Sequence, residues 1–181
     1  MVTNNFTRLN MLDLYEWAMF YLQQWDAISI PLNKGETPAV VWDQFQDKPP
    51  RLVDYELWFV DAHPWGIALI CGEQLSRLVS LNFSDPSDYH SLRHVLPSNA
   101  LVINSQNEGK TKISVILRNA YSMTNISEGT FKHYPKLSIS GTNSFVIVPP
   151  TPGYSWRIIF EALPTLDVGQ WLTDTVVRSK H

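Results

Sequence analysis

Residues 67–160 return repeatedly to short apolar runs separated by polar turns, and this rhythm limits the fold more than any other feature of the chain. Residues 67–71 and 78–82 read as two strands around the loop 72–76, a hairpin-like unit. Residues 100–104 and 112–118 flank the polar turn 105–111, and residues 136–140 and 145–148 flank Gly141-Thr142-Asn143-Ser144. Residues 156–160 make a final strand. The stretch 119–134 is polar and without periodicity, and reads as a long surface loop.

Helices bracket these strands. Leu14, Trp17, Ala18, Tyr21, Leu22 and Trp25 fall on one apolar helical stripe, with Asp13 and Glu16 spaced to cap its start. Residues 27–32 read as a short strand and 33–38 as a turn-rich loop. A second helix is expected over 53–62, with Tyr55, Trp58 and Phe59 on one side. Pro86 suits the first turn of a helix over 87–95, and 168–177 reads as a closing helix. A helix-strand-helix opening, a series of strands and a terminal helix predict an α+β fold with mixed or antiparallel sheets and flanking helices, not a regular parallel βαβ array. The expected core includes Trp17, Tyr21, Ile67, Leu69, Leu81, Val115, Val146 and Ile147.

A chain of 181 residues, 44% apolar, buries one sizeable core, so residues 1–181 are expected to form a single domain. The formal charge of -3 lacks the basic excess of proteins that depend on phosphate neutralisation, so any nucleic-acid contact is expected to be local and salt-sensitive. Cys71 is the single cysteine, which fits a reducing, cytoplasmic setting. No run reaches about 18 uncharged apolar residues, so no membrane partner is expected. Asp13 and Glu16 interrupt the apolar N-terminal segment and no small-residue cleavage site follows, which argues against a signal peptide.

The chemically informative run is Arg77-Leu78-Val79-Ser80-Leu81-Asn82-Phe83-Ser84. Residues at i and i+2 on a strand share a face, and two carboxylates so spaced hold divalent ions against a triphosphate. Asn82 and Ser84 keep the spacing without the charge, and an amide and a hydroxyl are poor ligands for a hard dication. An ordinary buried strand has the same pattern. His90 and His94, near Asp85 and Asp88, share a helical face that suits either a metal or plain solvation, and no metal is assigned there. Lys34, Lys110, Lys112 and Arg118 suit a groove for a phosphate backbone, with Trp42 or Tyr154 stacking on a base; exposed lysines and core aromatics are the alternative.

The order of several signatures resembles the N-terminal primase-polymerase domain of the archaeo-eukaryotic primase superfamily, found in replication proteins of plasmids, phages and mobile elements. They are Ala27-Ile28-Ser29-Ile30-Pro31-Leu32 with Lys34; Val41-Trp42-Asp43-Gln44-Phe45-Gln46 before Pro49-Pro50; Leu57-Trp58-Phe59; Trp65-Gly66-Ile67-Ala68-Leu69-Ile70-Cys71-Gly72; the run from Leu78 to Asp85; and Phe145-Val146-Ile147-Val148-Pro149-Pro150 followed by Tyr154 to Phe160. The resemblance spans residues 12–160 and implies a nucleotidyl-transferase core. Its departures fall on the chemistry. The family's paired acids match Asn82 and Ser84, its third acid matches Ser138, and its nucleotide-contacting histidine has no counterpart in residues 108–114.

The resemblance therefore implies a catalytically inactive domain, without cofactor, that acts as a nucleic-acid-binding or assembly subunit in a replication or mobile-element system. Its expected ligand is single-stranded DNA or a primed template. The family usually continues into a helicase or helical primase module, whereas one short helix follows here, so protein partners are expected. Two alternatives stay open: an active primase or polymerase using Asp85 or Asp88 as displaced ligands, and a protein-binding adaptor that does not touch nucleic acid.

Overall fold

The spacing of Asp13 and Glu16 closes a capping box. Asp13 accepts a hydrogen bond from the Glu16 N–H at 2.8 Å, and Glu16 accepts one from the Asp13 N–H at 3.0 Å. This box starts α1 (Leu14–Trp25), whose Trp17, Ala18, Tyr21 and Trp25 are buried, as the apolar stripe requires. The computed structural model describes residues 13–72, 76–107, 110–159 and 162–177. Leu12 and Phe160, at the ends of the primase-like span and of the expected last strand, lie outside the described residues. So do 73–75 of the expected loop and 108–109 of the expected turn.

After α1 come β1 (Ser29–Leu32), a 3-10 turn (Asp43–Gln46), and α2 (Leu52–Glu56), which runs into a π-helical stretch (Leu57–Asp61). Next are β2 (Gly66–Cys71), β3 (Leu78–Phe83) and α3 (Pro86–Leu92) with a 3-10 extension (Arg93–Val95). The second half holds β4 (Leu101–Asn107), β5 (Lys110–Asn119), β6 (Leu137–Ser140), β7 (Ser144–Val148), β8 (Tyr154–Ile158), β9 (Thr165–Leu166) and α4 (Val168–Trp171), which is extended by a π-helical turn (Leu172–Val177). The fold is α+β, with antiparallel sheets and flanking helices. One sheet has the order β1-β2-β7 and the other β6-β3-β5-β4-β8, with β9 pairing β5 in parallel. Among the described residues no helix is long and apolar enough to cross a membrane.

The hairpin-like unit expected over 67–82 does not form. The Gly72 N–H donates to the Leu78 carbonyl at 2.7 Å where the two runs part. β2 then pairs with β1 and β7, whereas β3 pairs with β5 and β6. All six β2 residues are buried, which suits the centre of a sheet covered on both faces. β6 and β7 part in the same way across residues 141–143, and β8 returns to the larger sheet, so the chain changes sheets three times.

Alternation divides the larger sheet into two unlike faces. Val79, Leu81 and Phe83 of β3 join Ile113, Val115 and Leu117 of β5, Leu137 and Ile139 of β6, Tyr89 and Leu92 of α3, and Trp171 of α4. The opposite face is apolar at one end, where Leu78, Leu101, Ile103 and Ile116 pack with the α1 aromatics and with Ile67, Leu69, Val146 and Val148 of the smaller sheet. At its other end that face is polar: Asn82 stands opposite Ser114 and Ser138, and Ser80 opposite Ser140. Of the expected core residues, Ile147 is half-buried instead, because it sits on the edge strand β7 beside the Ala68 and Ile70 cluster. The stretch 119–134 is not a detached loop. Ile126 bridges to Ile139 through hydrogen bonds of 2.9 and 2.8 Å, and Phe131 is buried.

Leu81 is fully buried at the middle of β3. Its truncation to alanine is expected to cost about 2–5 kcal/mol in urea unfolding, through lost transfer energy and the cavity left behind. A change near zero would contradict the packing described.

Candidate functional site: a hydroxyl-lined cleft between the sheets

At the polar end of the larger sheet the strand registers bring side chains from β3, β5 and β6 together. The Asn82 amide is fully engaged: its Oδ1 accepts from Ser80 Oγ at 2.8 Å and from Ser114 Oγ at 3.0 Å, and its Nδ2 donates to Ser140 Oγ at 3.0 Å. Ser138 lies directly across from Asn82. Ser84 follows the strand, its N–H donating to the Lys136 carbonyl at 3.0 Å and its hydroxyl to the Glu128 carboxylate. The three positions singled out from the sequence, Asn82, Ser84 and Ser138, thus line one cleft of about 260 Å³, whose other wall is Phe145, Val146 and Ile147 of β7.

A wider cleft of about 630 Å³ adjoins it and shares Ser84, Lys112 and Glu128. Lys110, Lys112 and Lys136 give this outer cleft its cations, and Asp85 and Glu128 its anions. Lys110 and Lys112 were expected at a phosphate groove, and the strand β5 places both in the lining of this outer cleft. The other two expected members are placed elsewhere. Lys34 is exposed on the turn after β1 and lines neither cleft. Arg118, at the opposite end of β5, donates to the Trp25 carbonyl at 3.0 Å and to Asp26 at 3.3 Å.

Glu128 and Lys136 carry no signal in the apolar periodicity of the sequence. Glu128 reaches the cleft because Ile126, two residues earlier, is pinned to β6 by its bridge to Ile139. The following Gly129 adopts φ +84° and donates its N–H to the Pro135 carbonyl at 2.8 Å. Lys136 Nζ stands 3.7 Å from the second Glu128 oxygen. The isolated Ile126 in a polar stretch was the one local hint of this anchoring.

The acids of the displaced-ligand alternative are arranged differently from a metal pair. Asp85 caps α3 by accepting from the Ser87 N–H at 2.9 Å, and that bond holds its carboxyl below the usual range. Asp88 lines neither cleft; burial, and then the Asp85 charge, push its carboxyl up. His90 and His94 are exposed, and among the described residues no three His, Cys, Asp or Glu side chains gather as a metal-ligand group. Tyr154 lines the inner cleft, its phenol raised by burial and by the charge and hydrogen bonding of Glu36. Trp42 packs edge-on against Phe145, ring centroids 5.8 Å apart, and is half-buried.

With Asp85 engaged in its cap and Glu128 between Ser84 and Lys136, the remaining groups are hydroxyls, an amide and ammonium groups, which suit anionic oxygens better than hard dications. No protein-family model matches this chain, and comparison with curated proteins finds no match.

Because hydroxyls rotate, Ser80, Ser114 and Ser140 are able to donate to a carboxylate as readily as they pair with the present amide. Asn82→Asp is therefore expected to lie within about 1 kcal/mol of the wild type in urea unfolding, whereas Asn82→Leu, which strands those hydroxyls, is expected to cost about 1–3 kcal/mol. The reverse order would show that the network does not hold Asn82.

Proposed function

We propose that this chain is a primase-polymerase-like domain without nucleotidyl-transfer activity, which binds nucleic acid along the two adjoining clefts as a binding or assembly subunit of a replication or mobile-element system. One observation carries the reading: the three positions that match the family's acids converge on a single face as Asn82, Ser84 and Ser138, beside Lys110, Lys112 and Lys136. A two-metal mechanism needs carboxylates to hold its ions, and a neutral floor supplies none. The lysines contact phosphates without reading sequence, and Tyr154 offers a ring for a base. A cytoplasmic location and further protein partners belong to the same proposal.

The reading as an active enzyme draws less support, because Asp85 is committed to its cap and Asp88 lies off the cleft. The adaptor reading has one observation in its favour. Leu52, Val53, Leu57 and Val60, on α2 and its π-helical extension, are all large, apolar and exposed.

Purified protein is expected to bind single-stranded DNA at low salt and to incorporate no nucleotide on a primed template with magnesium or manganese. Replacing Lys110 and Lys112 together by alanine is expected to weaken binding uniformly across sequences and to lower the salt slope by up to ~0.7 per lost contact. Metal-dependent incorporation abolished by Asp85→Ala would establish the displaced-ligand enzyme instead. Absence of binding even at low salt would leave the adaptor reading.

A further inference from the structure

Glu128 lines both clefts and therefore stands where they join. Its carboxylate takes the Ser84 hydroxyl hydrogen on one oxygen and faces Lys136 Nζ at 3.7 Å with the other. A hydroxyl donor and an ammonium group around one anionic group make the same set of contacts that a phosphate oxygen requires. Lys112, shared by both clefts, adds a further cation at the same junction. The holding is local. The Glu128 side chain is 40% exposed, and its segment is fixed to β6 at Ile126, so the carboxylate is free to swing outward while the bridge to Ile139 stays in place.

We propose that Glu128 is a built-in competitor for the phosphate position of this cleft: its carboxylate fills the site formed by Ser84, Lys112 and Lys136, and a phosphate-bearing ligand binds by displacing it. This rests on the nucleic-acid reading for the identity of the natural ligand, but not for the existence of the anion site. The consequence is a built-in limit on affinity. Outer-cleft charges of three lysines against Asp85 and Glu128 leave one net positive charge, and release of Glu128 uncovers a second.

The test compares wild type with Glu128→Gln, which keeps the side-chain size and removes the charge, and with Asp61→Asn, which removes one charge from the π-helical stretch after α2 that lines neither cleft. Two probes are used: a fluorescein-labelled oligothymidylate by anisotropy and inorganic pyrophosphate by calorimetry, both at low salt. Glu128→Gln is expected to bind both probes about 3–10-fold more tightly, the scale of one partly exposed charge, while Asp61→Asn stays at the wild-type value. Should the glutamine variant not fold, Glu128→Ala carries the same expectation. Equal or weaker binding of both probes by the Glu128 variant would overturn the competitor role while leaving the nucleic-acid reading intact wherever the oligonucleotide still binds. Equal tightening by both variants would also overturn it, as an effect of net charge alone. Tighter pyrophosphate binding with no oligonucleotide binding by any variant would sustain the competitor role and overturn the nucleic-acid reading.

Discussion

Two of the three passages of the chain between the sheets, after β2 and after β6, pack against each other, and the geometry of the cleft follows from that contact. Gly72 leaves β2 with φ +71°, and a Cβ there would strike the Thr142 backbone. Gly141 leaves β6 so close to Met123 that a Cβ would strike its carbonyl. The Thr142 N–H donates to the Met123 carbonyl at 2.7 Å, and the Gly141 N–H to Asn125 Oδ1 at 2.7 Å. The same junction that orients one sheet on the other thus starts the segment that runs through Ile126 and delivers Glu128 to the cleft mouth.

The face that the larger sheet turns toward the smaller one is unequal along its length. Leu78, Leu101, Ile103 and Ile116 use it to bury α1 against the smaller sheet, and a few residues further along the same strands carry Ser80, Asn82, Ser114 and Ser105. Polar side chains at such depth are costly unless paired, and here Asn82 pairs with three hydroxyls. Three carboxylates in these places would repel one another and need cations to coexist. The neutral set needs none, so the cleft keeps its shape with its hydrogen bonds made internally.

Most of the fold was legible in local pattern. The α1 stripe with its capping box, Pro86 at the start of α3, and the runs that became β4 to β8 follow from periodicity and turn chemistry, which act within a few residues. The partnering of strands was not legible. Residues 67–71 and 78–82 have the spacing of a hairpin, and only the buried character of both β2 faces distinguishes a strand that leaves for another sheet. Asn82, Ser84 and Ser138 were singled out together from the sequence, and they line one cleft, with the register of β3 and β6 setting Asn82 across from Ser138. Glu128 and Lys136 were not, since a carboxylate delivered by one bridge residue leaves no periodic trace, and Arg118 looked free because its partners Trp25 and Asp26 lie far off in sequence.

In the proposed function, Asn82, Ser84 and Ser138 occupy the positions of metal-bearing acids while lacking their charge. Manganese titration followed by electron paramagnetic resonance tests it most directly, comparing wild type with the triple variant Asn82→Asp, Ser84→Asp, Ser138→Asp. The wild type is expected to show no saturable manganese binding and the triple variant to show it, because three carboxylates on one face form a dication site. Saturable binding by the wild type that is lost in Asp85→Ala, or a folded triple variant that gains no manganese, would contradict it.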